Sequence, residues 1–110
     1  MRRLPVVFRE EAIADLHEIY DYIAGQAGSP ELAWRFIQRI RLRCRRIGDV
    51  PFGGRARDDL FPGLRVVPFE RSAVVAYIVE DETVRVTNIF YGGRDYEVLY
   101  GKDEPGGSSA

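Results

Sequence analysis

Almost all positive charge in this chain is guanidinium: of 16 basic residues, 15 are Arg and only Lys102 is Lys. A guanidinium presents a rigid fork that holds a carboxylate or phosphate in bidentate fashion. It stays protonated and cannot act as a base. Arg55, Arg57, Arg65 and Arg94 lie in or beside Gly/Pro-rich stretches and could clamp a phosphate. Attack of an RNA 2′-hydroxyl would also need a base and an acid for the leaving oxygen. Near those arginines only Asp95, Tyr96 and Glu97 could serve. His17, the sole histidine, falls among acids and core residues and reads as structural. A catalytic set of Arg65, Arg94 and Tyr96 is one reading. The other is an Arg surface that contacts a protein partner, with no catalytic residue.

Each candidate has a plain structural explanation beside the functional one. Arg65 alternates with Leu64 and Val66 and so faces the other side of a strand. It could bind a ligand there, or pair with Glu70 or Asp95. Arg94 and Tyr96 follow Gly92-Gly93, and that corner could contact a target or simply turn the chain. Trp34 sits one position off an apolar stripe, suiting a partner surface or rim packing equally. Six arginines (Arg35, Arg39, Arg41, Arg43, Arg45, Arg46) crowd one helical segment. They could form an anion-binding stripe or pair with Asp15, Glu18 and Asp21 of the preceding helix.

The elements that must position these groups follow from periodicity. Pro5 to Phe8 is a short strand. Glu10-Glu11 opens a helix with apolar positions Ile13, Leu16, Tyr20, Ile23, Ala24 and Ala27, Ile19 lying beside them. Gly28 ends it, and Ser29-Pro30-Glu31 caps and starts a second helix. That helix buries Ala33, Phe36, Ile37, Ile40, Cys44 and Ile47 and stops at Gly48. Asp49 to Gly63 reads as a loop. Three strands follow: Leu64 to Phe69, with Pro68 marking an edge or bulge, Ser72 to Val79, apolar on both faces, and Thr83 to Tyr91. Tyr96 to Tyr100 is a last short strand or a helical turn. The fold class is α+β: order β-α-α-β-β-β, a helical hairpin on one face of a small twisted antiparallel sheet. One domain spans 1–100, and 101–110 reads as a flexible tail.

Charge is segregated along the chain. Residues 10–34 carry −6 with no Lys or Arg, residues 35–46 carry +6, and the whole chain sums to −1. A near-neutral chain is a poor coat for nucleic acid or a ribosome. One Cys and one His exclude an internal disulfide and a clustered Cys/His metal site. No Gly-x-Ser-x-Gly elbow supports Ser29 with His17 and Asp21 as a hydrolase. Gly53-Gly54 and Gly92-Gly93 lack the spacing of nucleotide loops. No cofactor or metal is expected. The basic start lacks the long apolar run of a signal peptide, and no stretch reaches membrane-span length, so a cytoplasmic protein is expected.

Four pieces of sequence, in order, resemble the RelE/ParE superfamily of bacterial toxins, closest to its ParE-like branch: Glu11 to Ile23, Pro51-Phe52-Gly53-Gly54-Arg55, Pro62 to Pro68, and Val84 to Asp95, ending Tyr91-Gly92-Gly93-Arg94-Asp95. The resemblance implies a growth-inhibiting toxin of a type II toxin–antitoxin system, held inactive by a cognate antitoxin. ParE-like members poison DNA gyrase, and RelE-like members cut mRNA on the ribosome. A toxin–antitoxin complex would reach operator DNA through the antitoxin. Target- or antitoxin-binding candidates are Arg65, Arg94, Tyr96, Tyr91, Trp34, Arg55 and Arg57. A non-toxic binding module of the same fold is a further alternative.

Overall fold

The computed structural model describes residues 3–93 and 96–101. Strand β1 (Val6–Phe8) leads into helix α1 (Glu10–Ala27) and helix α2 (Pro30–Ile47). Strands β2 (Arg55–Ala56), β3 (Arg65–Phe69), β4 (Ala73–Glu80) and β5 (Thr83–Tyr91) follow, then a 3-10 helix at Tyr96–Tyr100. The expected order of elements is present. The segment expected as a loop over Asp49 to Gly63 holds the two-residue strand β2, which pairs with Val66 and Arg65.

The helices begin and end for local reasons. Glu10 and Glu11 place acid at the positive end of α1, and Gly28 closes it with a left-handed φ of 63°. The Ser29 hydroxyl accepts from the Leu32 amide at 3.1 Å, with Pro30 in the first turn of α2. Gly48 ends α2 with a right-handed φ of −61°, so it is not needed for a left-handed cap. It is needed because a Cβ there would collide with the Leu4 carbonyl oxygen. The Leu4 amide donates to the Gly48 carbonyl at 2.9 Å, fastening the lead-in of β1 to the end of α2.

The strand order is β1-β5-β4-β3-β2. The sheet is mixed, where a wholly antiparallel one was expected. β3, β4 and β5 form the antiparallel meander, but β1 joins β5 in parallel, Val6 to Phe8 against Val84 to Val86. The long α1–α2 crossover permits this, since parallel neighbours need such a connection and a tight hairpin cannot supply it. Pro68 lies on β3 beyond the stretch that β2 covers, where its missing N–H costs no ladder bond.

The main core lies between the hairpin and one sheet face: Leu16, Ile19, Phe36, Ile40 and Cys44 meet Val67, Val75, Tyr77, Val84 and Ile89. The other face is covered too, by Leu60, Leu64 and the 3-10 helix residues Tyr96 and Tyr100 over Val66, Ala76, Ile78 and Phe90. That explains why β4 reads apolar on both faces. The α2 stripe is buried as its spacing predicts. The α1 stripe is rotated: Ala12, Leu16 and Ile19 are buried, while Ile13 is 44% exposed and Ala27 is exposed. A small residue fits where the helix lies closest to its neighbours, so Ala12 and not Ile13 faces inward.

Both hairpin turns use non-glycine residues in left-handed backbone: Glu70 and Arg71 at φ 48° and 59°, Asp81 and Glu82 both at φ 53°. A left-handed L-residue costs about 1–2 kcal/mol, while glycine enlarges the unfolded ensemble by rather less. Arg71→Gly is therefore expected to stabilise the fold by about 0.5–1 kcal/mol, measured by urea unfolding. A loss of stability would show that the Arg71 side chain contributes more than its backbone strain.

Candidate functional site

The sheet separates two of the residues that a catalytic set would have to combine. Arg65 opens β3 on the helix side, the face of Val67 and Phe69. Its Nη1 donates to the carbonyls of Phe52 (3.0 Å) and Gly54 (2.8 Å), and its guanidinium lies 5.3 Å from the Phe52 ring centroid. Glu70, one of its expected partners, is bound by Arg39 instead, and the other, Asp95, lies outside the described residues. The same loop is held from beneath by Tyr77. The Gly54 amide donates to the Tyr77 hydroxyl (3.0 Å), which donates to the Pro51 carbonyl (2.9 Å). Burial pushes the Tyr77 phenol up, so the hydroxyl keeps its proton and can donate. A Cβ at Gly54 would lie 2.5 Å from that hydroxyl oxygen. Phe52 stands 64% exposed, and the exposed Arg55, paired with Val66, leaves β2 on the other face.

Tyr96 lies on the opposite face. Arg57, expected as a surface clamp, is instead drawn inward: its side chain is 10% exposed. Nε and Nη2 bind both oxygens of Asp59 at 3.0 Å, Nη1 donates to the Tyr96 hydroxyl at 2.9 Å, and Nη2 meets Glu97 at 2.6 Å. Those bonds, Asp59 first, raise its already high pKa. Arg57 therefore holds the 3-10 helix against the sheet, with Tyr96 tilted on Phe90 at 5.7 Å. Arg94 and Asp95 lie outside the described residues, as does the segment 102–110.

A row of aromatic rings joins α1, α2 and the sheet. Tyr91 packs edge-on against Tyr22 (5.8 Å) and Phe36 (5.4 Å), and Phe36 against Phe69 (5.5 Å). Between α1 and β5, Tyr22 and Tyr91 of this row border a groove of about 590 Å³ lined also by Asp15, Glu18, Ile19 and Ile89. Because β1 covers only Val84 to Val86, the outer edge of β5 beyond Val86 has no strand beside it among the described residues. Asp15 closes part of that edge by accepting from the Ile89 amide at 2.8 Å. Neither Asp15 nor Tyr77 stands out by period. For Tyr77 the available signal was chemical, a lone hydroxyl in the apolar run Ala73 to Val79, which must find a partner when buried.

Two of the α2 arginines expected to pair across the hairpin turn elsewhere. Arg35 meets Glu31 within α2 at 3.7 Å, and Arg39 grips Glu70 of the β3–β4 turn with bonds of 2.8 and 3.0 Å. Glu18 and Asp21 of α1 face solvent, and Asp15 turns to the β5 backbone. The Arg39 hydrogen bonds hold the Glu70 carboxyl below the usual range. The pair's contribution is therefore present above the ordinary carboxylate pKa and lost as pH falls through the lowered one. Both groups are half-exposed, so it amounts to at most about 1 kcal/mol. Glu70→Gln should lower the thermal midpoint at pH 7 and leave it unchanged near pH 2.

His17, expected to be structural, is exposed on an outer groove between α1 and α2 of about 520 Å³, beside Trp34, which is 50% exposed. The rotation of the α1 stripe brings it there. Cys44 is fully buried, and desolvation pushes its thiol up to about 12, so it is inert toward ordinary thiol chemistry.

Comparison with known families decides the lineage of this architecture. The model of the ParE toxin of type II toxin–antitoxin systems, parDE, matches residues 6–96. The chain belongs to the ParE toxin family. A solved structure described as the chromosomal ParDE toxin–antitoxin system from P. aeruginosa aligns with a TM-score of 0.71 at 25% identity, over 82% of this chain and 97% of that one. No protein with a curated description matches. The ParE fold expected from sequence is thus present, with two helices on a five-stranded mixed sheet. Among the described residues no helix of this ParE-family chain is long and apolar enough to cross a membrane.

Proposed function

We propose that this ParE-type toxin arrests growth by binding a cellular protein, DNA gyrase, without catalysing a reaction, and that a cognate antitoxin neutralises it. The observation that carries the non-catalytic reading is the split of the candidate set. Arg65 is tied to the 52–54 loop on one sheet face, and Tyr96 is tied to Arg57 on the other. A ribonuclease would need those groups around one phosphate. On the helix side the exposed Phe52 and the half-buried Arg65 form the target surface, while Arg55, paired with Val66, leaves β2 on the other face. Tyr96 lies on the other face, where its bond to Arg57 keeps the corner in place.

The antitoxin segment lies in the groove between α1 and β5, where an extended chain can pair with the open β5 edge and rest on Tyr22 and Tyr91. The complex reaches operator DNA through the antitoxin, and the protein works in the cytoplasm. Expressing the chain alone tests the proposal, with gyrase supercoiling and primer extension on mRNA assayed in parallel. Growth arrest with lost supercoiling and intact mRNA is expected. Codon-phased mRNA cleavage would replace this reading with a ribosome-dependent nuclease, and no arrest would leave a non-toxic binding module. Tyr22→Ala removes a half-exposed ring from the antitoxin groove. It should weaken antitoxin binding about tenfold to thirtyfold, as loss of an aromatic anchor does, measured by calorimetry. An unchanged affinity would move the antitoxin elsewhere.

A further inference from the structure

We infer that the outer face of the α1–α2 hairpin docks a second copy of this chain, giving a weak two-fold dimer of hairpins. Two independent observations meet on this face. The first is apolar: Ile13, His17 and Tyr20 of α1 and Trp34, Ile37 and Arg41 of α2 line an open groove of about 520 Å³. Ile13 and Trp34 are 44% and 50% exposed. The residues recur at spacings of three and four on each helix, which is the pattern a packed helix uses.

The second is electrostatic. Residues 10–34 carry −6 and residues 35–46 carry +6. Arg35 and Arg39 turn to Glu31 and Glu70, and Asp15 turns to the β5 backbone. Glu10, Glu18 and Asp21 on α1 and Arg41, Arg45 and Arg46 on α2 are exposed. One helix of the hairpin therefore presents acid and the other presents Arg.

That division selects the occupant and the symmetry. Face-to-face hairpins can be related by a two-fold axis lying along the helices or across them. An axis across the helices stacks α1 on α1, acid on acid, and α2 on α2, Arg on Arg. An axis along them lays α1 of one copy antiparallel on α2 of the other, twice over. In that arrangement Glu10 comes over Arg41 and Arg45 near the end of α2, and Asp21 comes toward its Arg35. Trp34 and Ile13 are covered in the middle. Two 18-residue helices offer a face about 27 Å long and about 20 Å wide, so the dimer buries about 1,000 Å² in all. That is the lower limit of specific interfaces, so a dynamic monomer–dimer equilibrium is expected, weakened by salt.

Trp34 is the only tryptophan and lies in the contact, so its emission reports occupancy directly. The experiment is sedimentation velocity with parallel Trp34 fluorescence on the full chain, from micromolar to millimolar protein, at low and high salt. The expected result is a concentration-dependent dimer with blue-shifted Trp34 emission, about tenfold weaker at high salt. Arg41→Glu/Arg45→Glu and Glu10→Arg should each stay monomeric alone, because each puts like charges across the axis. Mixed one to one, they should form a heterodimer, since both halves of the contact are then complementary. A chain that stays monomeric throughout overturns the proposal. So does a dimer indifferent to salt and to both variants. So does Trp34 emission that shifts only when a protein encoded beside the toxin is added, which would assign the face to that partner. Should the α2 variant not fold by circular dichroism, the wild type's own salt and concentration dependence still decides.

Discussion

Tyr77→Ala is expected to lower the unfolding free energy by about 3–5 kcal/mol, the range for removing a large buried ring. Tyr77 is fully buried on the central strand β4, packed in the core beneath the hairpin. Its ring fills the space, and its hydroxyl joins the 51–54 loop at two points. Tyr77→Phe separates these roles. It keeps the ring but leaves the buried Gly54 amide without its acceptor, at about 1–3 kcal/mol. Urea unfolding of the two variants measures both values. A Tyr77→Phe change within about 0.5 kcal/mol of zero would mean that the loop bonds are replaced by water at no loss. The functional consequence reaches past stability: without the hydroxyl, the Phe52 and Gly54 carbonyls that orient Arg65 lose their anchor. On the target surface proposed above, Tyr77→Phe should therefore weaken binding even where the protein is fully folded.

Gly48→Ala is expected to destabilise the protein by about 2–3 kcal/mol, a large value for adding one methyl group. In a right-handed helix end, alanine would ordinarily be welcome. Here the new Cβ would meet the Leu4 carbonyl, a backbone atom that cannot swing away. The chain before β1 must move off the end of α2, taking with it the Leu4 to Gly48 bond and straining the parallel pairing of Val6 to Phe8 with β5. Hydrogen exchange should show the Val84 amide, which donates to the Pro5 carbonyl at 2.9 Å, losing protection before the β3–β4 ladder does. Equal loss across the sheet would mean that β1 is not a separable unit. A longer open edge on β5 would also change the surface offered to an antitoxin strand.

Some of this molecule is legible from local chemistry. Ser29-Pro30 starts α2 because a hydroxyl cap and a pre-set φ act within one turn. The α2 stripe is correctly read because six apolar positions at spacings of three and four leave one way to bury them. β4 is apolar throughout because both its faces are covered, and its sequence says so. The α1 stripe is harder to read, since Ala12 and Ile13 both fit the period and only the packing distance chooses the smaller residue. The candidate site is legible mainly as a list of residue types. Arg65 does turn to the face opposite Leu64 and Val66, as alternation requires. Its partners, the Phe52 and Gly54 carbonyls, belong to a loop whose path no periodicity describes. Arg57 looks from its neighbours like a solvent-facing clamp, and its burial depends on Tyr96 and Glu97, some forty residues away.

The sequence by itself determined the elements, the ParE lineage and the segregation of charge into an acidic helix and an Arg-rich one. These depend on neighbours within a few residues, or on order along the chain. Only the tertiary structure decided what the charges do. Helix and strand periods fix which way a side chain leaves its own element, and they carry no information about what stands opposite. Once the chain is folded, Arg39 of α2 grips Glu70 of the β3–β4 turn and Arg35 meets Glu31 of its own helix. Arg57 closes the back of the sheet and Arg65 holds a loop.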